Sequence, residues 1–148
     1  MRTETRQPAL TLHELDECLE LLHRVVKQVI TSPQTLLAGH GLGRAHHRAL
    51  FYIRREQGIA VGDLAARMAV TNQAAHKTLR DLLEHGLIRS APNPRNRRSR
   101  QLTLTREGTR LEASLSGLQR EIFARVAGEL GRARMAQWSE VSDALAET

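Results

Sequence analysis

Apolar residues recur through the start of the chain at helical spacing. Leu12, Leu15, Leu19, Leu22, Val26 and Val29 follow one another at intervals of 3, 4, 3, 4 and 3. This is a heptad seam, and it suits packing against another long helix, in the same chain or in a second copy. Thr11 and Glu14 have capping-box spacing at its start. Ser32-Pro33 stops it, because proline has no N–H to continue the ladder.

The pattern then shortens. Residues 34–43 read as a helix end and a loop. A second helix is expected over 44–57, with Ala45, Ala49, Tyr52 and Ile53 inward and Gly58 closing it. Ile59, Ala60 and Val61 suit one strand of a small sheet. Residues 62–68 form a short helix with Asp63 in its first turn, where the helix dipole favours an acid. Leu64, Ala65 and Met68 face inward. Ala69 and Val70 make a turn. Thr71 is then a good N-cap for a helix over 72–85 that ends at Gly86. On it Ala75, Leu79, Leu82 and Leu83 make the apolar stripe, and Asn72, Gln73, His76, Lys77 and Arg80 share a polar face.

A hairpin follows, with strands over 87–91 and 101–104. Residues 92–99 between them form a polar turn that cannot be core. Thr105 caps a long helix over 106–127, with Leu111, Leu115, Leu118, Ile122 and Val126 as its seam. Gly117 within it costs roughly 1 kcal/mol relative to alanine, which suits a slight bend or a close helix approach. A last helix over 132–146 carries Met135, Trp138, Val141 and Leu145 on one side. The fold class is therefore mainly α, with a helix-turn-helix and a small β-hairpin.

Charge changes this picture. The 148-residue chain has a formal net charge of +6. Residues 71–100 hold Lys77, Arg80, Arg89, Arg95, Arg97, Arg98 and Arg100 against Asp81 and Glu84, seven against two, which leaves +5 there. The positive charge is thus focused on the helix and the hairpin, the footprint of a phosphate-backbone binder. Composition otherwise bounds the answer. One domain is the default at this length. Cys18, the one cysteine, excludes an internal disulfide and fits a reducing compartment. Residues 1–9 read as loose, with Pro8 near their end. They lack the apolar stretch of a signal peptide, and no run approaches a membrane span, so a cytoplasmic location is expected. Glycine-rich phosphate loops and nucleophile or zinc-hydrolase motifs are absent, so enzyme function is not expected and no cofactor is implied.

The chemistry of the basic stretch is that of DNA reading. Thr71, Asn72, Gln73, His76, Lys77 and Arg80 are placed to approach a major groove. Asn72 and Gln73 can pair bidentately with adenine, and Lys77 or Arg80 with guanine or a phosphate. Arg95, Arg97 and Arg98 at the hairpin tip can reach a minor groove, where a narrow A·T-rich stretch attracts arginine.

Three segments carry a resemblance: GLGRAHHRALFYI (41–53), GIAVGDLAARMAVTNQAAHKTLRDLLEHGLIRS (58–90) and NPRNRRSRQLTLTREG (93–108). In this order the chain resembles the MarR family of winged-helix repressors. The resemblance implies a homodimer, with residues 10–31 and 106–147 as a helical dimerisation region and 34–105 as the winged helix-turn-helix lobe. It implies a transcriptional regulator that binds pseudo-palindromic duplex DNA, with half-sites roughly 34–36 Å apart, and that is often released by a small molecule or an oxidant. One departure stands out. The family's wing usually carries acids beside its arginine, and here Asn93 and Asn96 occupy both positions. An amide holds an arginine more weakly than an acid does, so a more positive, looser tip is expected.

Sharper alternatives remain open. Cys18 reads as structural, with Glu17, Leu19 and Glu20 beside it and no cation to favour a thiolate; a redox sensor is the alternative. The seven histidines include no pair at i,i+3 or i,i+4, and no metal site is expected. His46 and His47 are adjacent and point about 100° apart. His23, His47, Arg48 and Phe51 are where a small-molecule pocket could lie, without any being assigned. A winged helix used for protein or RNA contact, without operator binding, is the second functional reading.

Overall fold

The computed structural model describes residues 9–148; of the loose start expected over residues 1–9, residues 1–8, with Pro8, lie outside them. The chain divides into two units, residues 1–32 and residues 33–148.

In the first unit, α1 (Leu12–Val25) begins with the capping box read from the sequence. The Thr11 N–H donates to Glu14 Oε2 at 2.7 Å and the Glu14 N–H donates to Thr11 Oγ1 at 3.3 Å. The Thr11 N–H, and after it the Thr11 hydroxyl, both donate to Glu14 Oε2, which favours the charged carboxyl and holds its pKa below the ordinary value. The heptad register does not continue as an α-helix to Val29. Val26–Ile30 is a π-helical turn, whose wider hydrogen-bond spacing breaks the 3-4 alternation. The hydroxyls of Thr31 and Ser32 donate back to the carbonyls of Lys27 and Val29, satisfying groups freed at the helix end. Of the predicted seam only Val29 is buried; Leu12 is 75% exposed, and Leu15, Leu19, Leu22 and Val26 are exposed too.

In the second unit, residues 34–43 are more ordered than expected: α2 (Gln34–Gly39) is a short helix of its own. Then come α3 (Arg44–Arg55), β1 (Ile59–Ala60), α4 (Val61–Met68) and α5 (Asn72–Glu84). They are followed by β2 (Ile88–Asn93), β3 (Asn96–Leu104), α6 (Arg106–Leu130) and α7 (Arg132–Ala146). Helix α3 packs against α2, α4, α5, β3 and α6. It contributes Ala49, Leu50 and Ile53 to a core shared with Leu64, Met68, Leu79, Leu82, Leu102, Leu111 and Leu115. Two inward assignments need correction. Ala45 is exposed, and the inner stripe of α3 runs through His47 and Leu50 instead. Leu83 is 44% exposed, and Thr78 takes its place on the inner stripe of α5. Positions 75, 78, 79 and 82 are the true i, i+3, i+4, i+7 set, whereas 83 lies a further 100° round the helix.

The sheet is antiparallel in the order β1-β3-β2. Its hairpin is longer than expected. Pairing runs from Ile88↔Leu104 out to Asn93↔Asn96, so the turn is only Pro94 and Arg95. Pro92 pairs in the ladder because β2 is an edge strand, where a missing N–H is tolerated. Pro92 faces Arg100 while Asn93 faces Asn96, so residues 97–99 of β3 bulge out of register.

Helix α6 starts against the end of α5. Thr105 Oγ1 donates to the Gly86 carbonyl at 2.7 Å and accepts the Gly108 N–H at 3.0 Å, and the Thr105 N–H donates to the Leu87 carbonyl. A Cβ on Gly108 would sit 1.8 Å from Leu87 O, whereas one on Gly117 meets nothing within 4 Å. The close approach expected at Gly117 is therefore found at Gly108. Gly108→Ala is expected to destabilise the protein by about 1–3 kcal/mol or more. Gly117→Ala should add roughly 0.5–1 kcal/mol from helix propensity. Urea unfolding of the two variants measures both; a neutral Gly108→Ala would contradict the packing described.

Candidate nucleic-acid interface

The turn between α4 and α5 is set by a left-handed residue. Ala69 has φ 52°, and paired bonds run from the Val70 N–H to the Ala65 carbonyl and from the Ala69 N–H to the Ala66 carbonyl. This is a Schellman ending on a residue other than glycine, which carries a modest backbone cost. The Arg48 guanidinium donates to the Met68 carbonyl at 2.6 Å and caps the same helix end from α3. Thr71 Oγ1 accepts the Ala74 N–H at 3.1 Å, which is the N-cap expected of it. Helix α5 then ends in a second Schellman turn at Gly86, φ +67°, with the Leu87 N–H on the Leu82 carbonyl.

Between these two turns α5 separates its residues cleanly. Ala75, Thr78, Leu79 and Leu82 are buried; Thr71, Asn72, Gln73, His76, Lys77 and Arg80 are all exposed. The structure thus leaves the five helix residues of the polar face open on one side of α5, with Thr71 exposed at its N-cap. Asp81, the acid next to Arg80, is turned away and paired. His46 Nε2 lies 2.9 Å from Asp81 Oδ2. That hydrogen bond is the first cause of a lowered Asp81 pKa, with the Lys77 charge acting the same way and burial acting against it.

Arg95, Arg97 and Arg98 are exposed at the end of the hairpin. Among the described residues, no acid lies within ion-pair distance of them. The two amides act on the backbone rather than on the guanidinium groups. Asn93 Oδ1 accepts the Arg95 N–H at 2.9 Å and Asn96 Oδ1 accepts the Arg98 N–H at 3.1 Å. These are Asx turns. They fix the chain that carries Arg95 and Arg98, where the sequence suggested only a weaker hold on the side chain. Arg100 is tied differently, donating to Ser90 Oγ and to the Ser90 carbonyl at 2.7 and 2.8 Å. It lines a cleft of about 620 Å³ between α5 and the hairpin, together with His76, Arg80, Leu83 and Ser90. The exposed Leu83 forms part of the apolar wall of that cleft.

The chief polar feature missed from the sequence lies behind this face, where α3 meets α6. Glu112 is fully buried, and Ser116 and His47 nearly so. Ser116 Oγ donates to Glu112 Oε1 at 2.6 Å and lies 3.0 Å from His47 Nε2. Arg120 donates to Glu112 Oε1 at 3.0 Å. Arg54 Nε stands 3.1 Å from Oε2, close enough for an ion pair but without an aligned N–H, so Oε2 keeps no hydrogen bond. The signal was available: 112, 116 and 120 recur at i, i+4, i+8 beside the apolar positions 111 and 115. Serine stands between histidine and glutamate here, so the set does not have the order of a nucleophile triad, in which histidine takes the serine proton. His47, Arg48 and Phe51, considered for a pocket, have other roles: His47 joins this network, Arg48 caps α4, and Phe51 stacks edge-on with Tyr52 beneath Arg54 and Arg55. Cys18, read as structural, is exposed on α1.

A sequence model of the MarR family matches residues 40–99. The HTH-type transcriptional regulator PetP of Rhodobacter capsulatus is 38% identical over 111 residues, which cover 75% of this chain and 67% of that protein. The chain belongs to the MarR family. It is therefore a transcriptional regulator of helix-turn-helix type rather than an enzyme, and the hairpin is the wing of its lobe. Solved structures agree in fold. A MarR-family regulator from Silicibacter pomeroyi has a TM-score of 0.75 at 22% identity, covering 93% of this chain and 96% of that one. A MarR mutant from E. coli complexed with operator DNA has 0.68 at 19% identity, covering 93% and 99%. Among the described residues no helix is long and apolar enough to cross a membrane.

Burial pushes the His47 pKa below its ordinary value; Glu112 opposes this and Arg120 adds to it. Just below the ordinary value of about 6.5, the unfolded chain therefore binds a proton that the folded one does not. This contribution is fully present above that value and is lost as the pH falls through the folded pKa. Unfolding free energy should decline as the pH falls below about 6.5, and His47→Gln should flatten part of the decline. Identical profiles for the two proteins would remove His47 from the titration.

Proposed function

We propose that this protein is a repressor-type regulator that binds pseudo-palindromic duplex DNA as a homodimer. The observation that carries the reading is the uncompensated basic face. Asn72, Gln73, His76, Lys77 and Arg80 stand open on α5 beside a wing whose Arg95, Arg97 and Arg98 have no acid partner among the described residues. Thr71 closes the start of the helix and keeps its O–H free to donate to a phosphate. In this reading α5 enters the major groove with its N-terminal half, and the wing arginines follow the adjacent backbone or minor groove.

The dimer reading draws on apolar surface left open in one copy. The leucines of α1 are exposed, as are Leu118 and Leu130 of α6 and Trp138, Val141 and Leu145 of α7, the last at 69%. Apolar groups in that number mark an interaction surface. Residues 10–31 and 106–147 would supply the dimerisation region and residues 34–105 the reading lobe. A small-molecule effector that releases the DNA belongs to the same reading, and no residue is assigned to it. Localisation in the cytoplasm goes with a DNA partner.

The test begins with a duplex enriched from a random pool by the wild-type protein. Its affinity should fall steeply with salt, by a slope of about 0.9 per neutralised phosphate, and Arg97→Ala should reduce that slope by about one. An unchanged slope would take Arg97 off the contact surface. A protein that enriches no duplex and prefers RNA or a protein partner would favour the interaction-module alternative.

A further inference from the structure

The two adjacent histidines of α3 make directional bonds to two different helices. His46 Nδ1 accepts the Gly43 N–H at 2.9 Å, which leaves its Nε2–H to donate to Asp81 on α5. The ring is largely buried, with its side chain 17% exposed. One residue later, His47 faces Ser116 on α6. The Ser116 proton is already directed at Glu112, so His47 donates its Nε2–H to the serine oxygen. Both rings are held as the Nε2–H tautomer by what their partners offer. Successive side chains on a helix diverge by about 100°, and a single turn of α3 can therefore grip one helix on each side.

Apolar packing alone would leave α5 freer to rotate. Its inward stripe consists of Ala75, Thr78, Leu79 and Leu82, and contacts of that kind lack direction. The bond at Asp81 is directional. It lies nine residues beyond Asn72, about 13 Å along the axis, so a small rotation there moves the reading end of the helix. We propose that His46 and His47 are positioning residues that link α6 to α5 through one turn of α3, so that the setting of the long helix determines how the recognition helix presents its reading face. This rests on the DNA-reading proposal and adds a device behind it that touches no DNA.

The experiment compares affinity for the enriched duplex with affinity for a scrambled duplex, at a temperature where circular dichroism shows each variant folded. His46→Ala should reduce that preference by about tenfold. His46→Gln should retain it, because the amide oxygen can accept the Gly43 N–H and the amide N–H can donate to Asp81. Asp81→Ala severs the same bond from its other end and serves if His46→Ala does not fold. Ser116→Ala cuts the link on the α6 side and should also lower the preference. Combined with His46→Ala, it should add little, because both break one linkage. A wild type that enriches no duplex removes the DNA-reading proposal and the relay with it. A selective wild type whose folded His46 and Asp81 variants stay equally selective overturns the relay alone, as does full additivity of the two cuts. Loss of stability by itself would lower both affinities together and leave their ratio unchanged.

Discussion

A carboxylate with no exposure to water dictates the arrangement of the winged lobe. Glu112 needs every partner that surrounds it: the Ser116 hydroxyl and Arg120 from its own helix and Arg54 from α3, with His47 bonded to the serine. Leaving such a group without one of its partners costs about 3–5 kcal/mol. The requirement therefore fixes how α3 lies on α6. Helix α3 in turn packs against α4, α5 and β3, and the placement of the reading helix and the root of the wing follows from it.

That fixed interior accounts for the distribution of charge outside it. Two acids of the lobe are occupied: Asp81 by His46, and Glu56 by Arg67 at 2.7 Å. Arg95 and Arg98 carry backbone order without an acid partner among the described residues, since Asn93 and Asn96 spend their oxygens on main-chain N–H groups. A surface built this way presents positive charge in a defined place, with no acid among the described residues paired to the wing arginines. This is the condition under which phosphates bind by releasing counterions.

Most of the lobe was legible in the sequence, because it depends on local chemistry. Thr11, Thr71 and Thr105 cap the helices assigned to them, Gly86 takes the positive φ that closes α5, and the polar face of α5 is exposed throughout; α3 ends earlier than expected, at Arg55, and Gly58 takes its positive φ in the turn beyond it. What escaped depends on long-range contact. The tight approach at Gly108 exists only because Leu87 arrives there from the end of α5. Ala45 and Leu83 were assigned inward from helical periodicity, which gives a face but not its width. The extended hairpin was hidden by Pro92 and Asn93, turn-forming residues that an edge strand accepts. The burial of Glu112 escaped because the i, i+4, i+8 spacing of 112, 116 and 120 marks one side of a helix without saying that Arg54 and His47 will meet it there. The π-helical turn at Val26–Ile30 has no counterpart in the apolar spacing.

The central claim is that one face, formed by α5 and the wing tip, meets the DNA. Titration of the isotopically labelled protein with its enriched duplex tests it most directly, by mapping amide shift changes along the chain. Changes should concentrate at residues 71–80 and 95–98 and leave the far half of α7 unmoved. Changes centred on α6 and α7, with α5 and the wing silent, would contradict the account.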